Sequence, residues 1–250
     1  MMRGIDVSKW NGEIDWEAAA RSGIRFAMVR AGVGAAKGGF TRDPYLHANL
    51  TGACAAGLHT GVYLYSYARS PEAALAEASG LLAAIEPYRR QIVFPVCYDI
   101  EEDAQAALGK EVCTAMCAAF CDAVRAAGYR PMVYANADWL ENRLDPEAID
   151  ADIWLAEWRR ERTYAGPHTM WQYTDAGSVP GIAGHVDLDL CRVDYAAQRP
   201  PEPADPWAAD AWAAACAAGL LDGTRPHDAL TRQELSVVLQ RAGLLEKAAD

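Results

Sequence analysis

Short runs of β-branched and aromatic residues alternate with alanine-rich stretches along the first two hundred residues. The β-rich runs predict eight strands, at residues 4–7, 26–31, 61–67, 93–99, 131–135, 153–157, 169–174 and 185–190. Helices fit between the earlier strands, and three carry start signals: Asp15 before Trp16-Glu17, Asp43-Pro44, and Ser70-Pro71-Glu72. Gly57 and Gly128 fall where left-handed helix ends are expected. Residues 137–144 read as the last helix, and the final strands follow with loops alone. This alternation predicts an α/β parallel sheet closed into an irregular barrel.

The segment Arg199-Pro-Pro-Glu-Pro-Ala-Asp-Pro206 holds four of the chain's 13 prolines, so it can neither join a sheet nor continue a helix. It divides the chain into a barrel over 1–198, a linker over 199–206 and a small helix–loop–helix module over 207–250. In the module, the first helix ends at Gly219, and a capping box, Thr231-Arg-Gln-Glu234, opens a second that stops at Gly243.

Composition narrows the functional classes. The chain has 250 residues, is 52% hydrophobic, and carries a net charge of −11, which argues against a nucleic-acid partner. No apolar run approaches the roughly 20 residues of a membrane span, and the first residues lack the apolar core of a signal peptide. Export, if it occurs, is expected by another route. The seven cysteines include no Cys-x-x-Cys pair, and Cys113, Cys117 and Cys121 read as small apolar residues lining one helix face. The five histidines show no zinc spacing, so neither metal nor other cofactor is expected. Gly32-Val-Gly34 lacks the phosphate-loop and dinucleotide patterns.

In a (β/α) barrel, reacting groups sit where strands end. Those positions hold Asp6, Asp99, Glu101 and Asp187. Residues two apart on a strand share a face, so Asp99 and Glu101 would face one cavity. Two ionised carboxylates so close disfavour each other, and one tends to hold a proton. Such a pair suits glycoside cleavage, where an acid protonates the leaving oxygen and a carboxylate stabilises the positive sugar. Spacing alone also fits plainer roles: a solvated turn at Glu101-Glu102-Asp103, a turn cap at Asp6, and exposed alternates at Asp187 and Asp189.

An ordered set of motifs resembles the Chalaropsis-type lysozymes, glycoside hydrolase family 25, across residues 3 to 195. It comprises Gly4-Ile-Asp-Val-Ser-Lys-Trp-Asn-Gly12, Phe26-Ala-Met-Val-Arg-Ala-Gly32, Gly61-Val-Tyr-Leu-Tyr65, Tyr98-Asp-Ile-Glu101, Ile153-Trp-Leu-Ala156, Trp171-Gln-Tyr-Thr174 and Gly184-His-Val-Asp187. The resemblance implies a flattened barrel of five βα units closed by three further strands. It implies hydrolysis of the β-1,4 bond between N-acetylmuramic acid and N-acetylglucosamine in peptidoglycan. It matches Glu101 to the proton donor, Asp99 to its partner, and Asp6 and Asp187 to the acids completing the site. Tyr63, Tyr65, Tyr134, Trp154 and Trp171 are the expected groove residues. Many relatives have His where Leu64 follows Tyr63, which implies an altered sugar contact at that neighbour.

The reaction stands open between a covalent, an inverting and a substrate-assisted route, with Asp99 or Asp187 orienting the N-acetyl group in the last. The module, through Gly219-Leu-Leu-Asp-Gly-Thr224 and Leu230-Thr-Arg232, is similar to a single S-layer homology repeat. That implies docking on a secondary cell-wall polymer, against the alternative of an oligomerising tail. The leading expectation is a muramidase, as a phage or prophage endolysin or a bacterial autolysin, held in the cytoplasm until release to the wall. A different hexosaminidase, and a wall-binding protein without activity, are the alternatives.

Overall fold

The structure, a computed structural model, describes residues 1–198, 204–221, 226 and 230–245. Nine strands are present among them: β1 (Met2–Val7), β2 (Phe26–Gly34), β3 (Phe40–Arg42), β4 (His59–Tyr65), β5 (Ile92–Asp99), β6 (Pro131–Asn136), β7 (Asp152–Ala156), β8 (Met170–Gly177) and β9 (Val186–Cys191). The helices are α1 (Trp16–Arg21), α2 (Leu46–Ala55), α3 (Pro71–Ile85), α4 (Asp103–Ala106), α5 (Lys110–Ala126), α6 (Tyr195–Gln198), α7 (Ala209–Ala217) and α8 (Arg232–Arg241). Eight strands form a closed ring in the order β1-β9-β8-β7-β6-β5-β4-β2, sealed by β1 on β2. All pair in parallel except β9, which runs antiparallel to both β8 and β1. The β8–β9 connection is a loop without a helix, and such a loop lets the chain turn straight back.

Alternation along the strands sorts side chains into two layers. Phe26, Met28, Tyr63, Phe94, Cys97, Met132, Tyr134, Trp154 and Met170 fill the barrel. Their neighbours Ala27, Val29, Val62, Leu64, Val96, Tyr98, Val133, Ile153 and Leu155 face outward into a second core under the helices. Cys113, Cys117 and Cys121 are buried in that outer core, as their spacing predicts, and none of the seven cysteines is in a disulfide.

The start signals at Asp15 and Ser70 hold, with Asp15 accepting from Ala18 N and Ser70 from Ala73 N. Gly57 and Gly128 follow α2 and α5 with φ of 80° and 82°, a region open to a residue without Cβ. Three expectations change. The pair Asp43-Pro44 does not cap a helix, since α2 begins at Leu46 and Asp43 is engaged elsewhere. Residues 137–144 form only a brief helix with a five-residue π-type turn, Trp139–Arg143, where Leu144 N–H reaches Trp139 O at 2.8 Å. The short strand β3 was not expected. It folds back antiparallel on the end of β2 and returns the chain towards Arg30.

The chain divides into two compact units, residues 1–197 and 198–250. In the second, α7 is followed by Gly219 (φ 70°), and Thr231 and Glu234 form the expected capping box of α8. Most of the proline-rich linker, and the centre of the S-layer-like motif at 222–225, lie outside the described residues.

Candidate active site

Where the parallel strands end, the barrel interior turns from apolar to acidic. A cavity of about 400 Å³ opens there, lined by Asp6, Asp99, Glu101 and Asp187 together with Tyr63, Tyr65, Tyr134 and Trp154. All four expected acids and four of the five expected aromatic residues therefore converge on one pit. Trp171 does not. It lies between the inward Met170 and Gln172, faces the outer core, and donates its indole N–H to Glu157 O at 2.8 Å. Leu64 likewise points into the outer core and does not line the cavity.

The floor is aromatic. Trp154 meets Tyr63 and Tyr134 edge-on, at 6.0 and 4.9 Å between centroids, a geometry in which positive ring edges meet negative faces. Two tryptophans missed by the sequence reading stand at the rim, Trp10 (79% exposed) and Trp158 (56% exposed). The loop bearing Trp10 is fixed by Ser8, whose hydroxyl accepts from Trp10 N and whose own N–H is taken by Asn11 Oδ1.

Gln172, the inward neighbour of Trp171, ties this frame together. Its Oε1 accepts from Tyr134 Oη (2.9 Å) and Trp158 Nε1 (2.8 Å), which fixes the amide so that Nε2 donates to Asp6 Oδ2 (2.7 Å). Arg30 is the one arginine or lysine among the described residues lining the cavity, and it is already engaged. Its guanidinium forms a buried pair with Asp43 at 2.8 Å, and Asp43 also accepts from the N–H groups of Lys9 and Tyr45. The unexpected β3 thus has a function: it delivers the carboxylate that neutralises Arg30.

The acids sit in two groups. Asp99 ends β5 and is held within the barrel, while Glu101 stands two residues on at the open mouth. Burial and then the Glu101 charge push Asp99 well above the carboxylate range, with Arg30 opposing. Glu101 is raised too, by loss of surrounding water and then by Glu102, while the Tyr65 hydroxyl draws it back. The Glu101 charge thus disfavours ionisation of Asp99 beside it. Opposite them, Asp6 of β1 pairs directly with Asp187 of β9. Burial raises Asp187 to about 6 and Asp6 well above its usual value, the latter also through Asp189 and Asp187. Asp189, whose strand position allowed a plain exposed role, is completely buried inside the barrel. No cluster of His, Cys, Asp and Glu suited to a metal is present among the described residues.

Comparison with known proteins gives a consistent picture. Residues 5–182 match the family model described as glycosyl hydrolases family 25. The chain is 29% identical over 196 residues to YegX of Escherichia coli K12, across 76% of this chain and 69% of that one. It is 27% identical over 195 residues to the autolytic lysozyme of Clostridium acetobutylicum, across 75% and 55%. Among solved structures it resembles the modular autolysin LytC of Streptococcus pneumoniae, determined with a synthetic peptidoglycan ligand. The TM-score is 0.66 at 26% identity, covering 75% of this chain and 46% of that one. The chain thus spans about half the length of the last two relatives.

Proposed function

The chain belongs to glycosyl hydrolases family 25, and from that premise and the acidic pit we infer that it is a lysozyme, a muramidase that hydrolyses the β-1,4 bond after N-acetylmuramic acid in peptidoglycan. The observation that carries this reading is the convergence of Asp6, Asp99, Glu101 and Asp187 in one open, aromatic-floored cavity. A wall-binding protein without activity has no use for four carboxylates held together at the cost of their mutual repulsion.

In this reading Glu101, at the mouth, protonates the glycosidic oxygen as the bond breaks. The carboxylates behind it stabilise the positive charge that develops on the sugar. Asp99 and Asp187 are recessed and hold their protons above the usual carboxylate range. That suits them to orienting the substrate's N-acetyl group, whose oxygen then attacks the anomeric carbon, better than to attacking it themselves. Trp10 and Trp158 are exposed amphipathic rings on which sugar faces can stack.

The reading extends to the C-terminal unit as a single S-layer-homology-like module that docks on a secondary cell-wall polymer. Its support is the motif resemblance and the exposed Trp207, Leu244 and Leu245. Delivery follows the endolysin pattern, with accumulation in the cytoplasm and release to the wall, or export by a separate route. No described helix is long and apolar enough to cross a membrane.

The test is a digest of purified bacterial walls by wild type and by Glu101→Gln, with products reduced by borohydride and their ends identified by mass spectrometry. Reduced N-acetylmuramic acid ends from wild type, lowered by about 10²–10⁴ in the variant, are the expected result. Reduced N-acetylglucosamine ends would change the bond, and no new ends on walls from several species would overturn the activity.

A further inference from the structure

The end of the barrel opposite the pit carries a second cavity, of about 910 Å³, with no lining residue in common with the first. It lies where β7 and β8 begin and β9 ends, walled in part by the loop that joins β7 to β8. Arg162 and His168 of that loop line it, as does Arg192 just past β9. A chain with a net charge of −11 thus gathers two guanidinium groups in one recess.

Arg162 is held in place by neutral groups. Glu157 pins its loop, accepting from Thr163 N (3.0 Å) and Tyr164 N (3.2 Å). The guanidinium lies over the Trp171 ring, 5.3 Å from its centroid, and its Nη1 meets His168 Nε2. The other ring nitrogen, Nδ1, faces Gly166 O at 3.0 Å and must be the N–H donor, so Nε2 of a neutral ring accepts from the arginine. Loss of water and the charges of Arg162 and Arg192 hold the His168 pKa below its usual value, in keeping with a neutral ring. Trp171, turned away from the pit, thus serves as a platform for a cation.

Neither arginine has a carboxylate paired to it among the described residues. The two acids of the lining are Asp152 and Glu147. Asp152 is taken by Arg130 Nε at 2.7 Å and by the Tyr195 hydroxyl at 3.1 Å. Glu147, on the turn Pro146–Ala148, is exposed and makes no ion pair among the described residues. Glu157 attracts Arg162 from outside the lining, but its oxygens are occupied by the loop N–H groups and by Arg159 at 3.8 Å. Like charges gathered without a counter-ion carry a cost that a bound anion removes.

We propose that this recess binds a phosphate ester, held by the forks of Arg162 and Arg192. A guanidinium fork fits the oxygens of phosphate or carboxylate. A carboxylate offers two oxygens along one edge, enough for one fork, whereas a phosphate directs its oxygens tetrahedrally and can face two arginines arriving from different elements. The volume exceeds the needs of a bare ion and leaves room for the esterified sugar or polyol. The recess is separate from the acidic pit, so the proposal is independent of the muramidase reading.

Isothermal titration calorimetry of the full-length protein at about pH 7 and constant low ionic strength tests this, with inorganic phosphate, glycerol 3-phosphate, poly(glycerol phosphate) and acetate as probes. Glycerol 3-phosphate should bind with Kd on the order of 1 mM or below, and acetate at least about tenfold more weakly. The double variant Arg162→Gln/Arg192→Ala should lose about tenfold or more, while Glu101→Gln should bind as wild type does. Saturable binding of poly(glycerol phosphate) makes a phosphate-linked polymer the source, and binding of glycerol 3-phosphate without the polymer makes it a free phosphate ester. Absence of saturable binding by either ester, equal binding of acetate, undiminished binding in the double variant, or loss in Glu101→Gln would each overturn the proposal. Should the double variant not fold, Arg192→Ala alone decides, because that side chain is exposed. A several-fold loss is expected there, and wild-type affinity overturns the proposal.

Discussion

Glu77 on α3 offers the sharpest quantitative prediction, because it is a fully buried carboxyl with no cation paired to it among the described residues. It staples two loops at the active end of the barrel, accepting from Ala35 N (3.0 Å), Tyr67 N (3.1 Å) and Ser66 Oγ (2.7 Å). The site has no slack: a Cβ on Gly34 would meet Glu77 Oε1 at 1.8 Å. Burial raises its pKa from 4.5 to about 7, against the pull of those hydrogen bonds. Below pH 4.5 the folded and unfolded chains both carry the proton. As pH rises from there the unfolded chain releases it while the folded chain holds it, so stability falls until about pH 7 and then levels. A shift of that size at about 1.4 kcal/mol per pKa unit is on the order of 3 kcal/mol. Glu77→Gln removes this dependence. The amide oxygen still accepts from Ala35 and Tyr67, but its N–H₂ meets Ser66 Oγ, which already accepts from Ala68 N and Gln105 Nε2. That crowding adds a constant penalty of about 1 kcal/mol. Denaturant unfolding of both proteins at several pH values between about 4.5 and 8.5 should therefore find the variant less stable in acid and more stable in base. A stability difference that stays flat across this range would refute the reasoning.

Three further outcomes follow, two from the pit and one from the residue that faces away from it. Gln172→Leu leaves the Tyr134 hydroxyl and the Trp158 indole without their acceptor and Asp6 without its donor. Cleavage should fall about tenfold or more, and the acid limb should move to higher pH because an unsupported Asp6 ionises later; an unmoved limb would exclude the bond to Asp6 as functional. Trp158→Ala should raise KM several-fold with kcat nearly unchanged, whereas Trp171→Phe, losing only the bond to Glu157 O, should cost about 1 kcal/mol of stability and leave steady-state kinetics within about twofold. Kinetic loss in a well-folded Trp171→Phe would contradict its outward placement.

The legible parts of this molecule are those written in local pattern. Each barrel strand is a β-branched or aromatic run bounded by turn residues, and Asp99 and Glu101 face one cavity because both sit close together on a single strand end. Local pattern also misleads where parity is unanchored. Trp171 is the more conspicuous residue of its motif, yet the burial of Met170 inside the barrel makes Gln172 the inward neighbour. The same parity puts Asp189 inside with Asp187, where the sequence allowed both to be exposed. What no local pattern carries is the pairing of distant positions. Gln172 and Asp6 bond across 166 residues. Asp43 looks like a helix start and is instead the counter-ion of Arg30, because a three-residue strand too short to announce itself turns the chain back.

The misreading of Asp43 has a cause that bears on how the site works. A sequence displays charges but not which of them are spent. Folded, Arg30 is paired with Asp43 and offsets the acids only in part, at Asp99, so the rest are managed by neutral donors and by protons. Gln172 serves Asp6, Tyr65 serves Glu101 and Glu102, and Trp154 serves Asp189. A pit balanced by arginines would keep its carboxylates ionised and would have no proton to give. On the proposed reading, one balanced by protons holds an acid ready at Glu101 while leaving negative potential behind it for a positive sugar to enter. On that reading, the absence of a free cation from the described lining lets carboxylates so close together divide between donating a proton and stabilising charge.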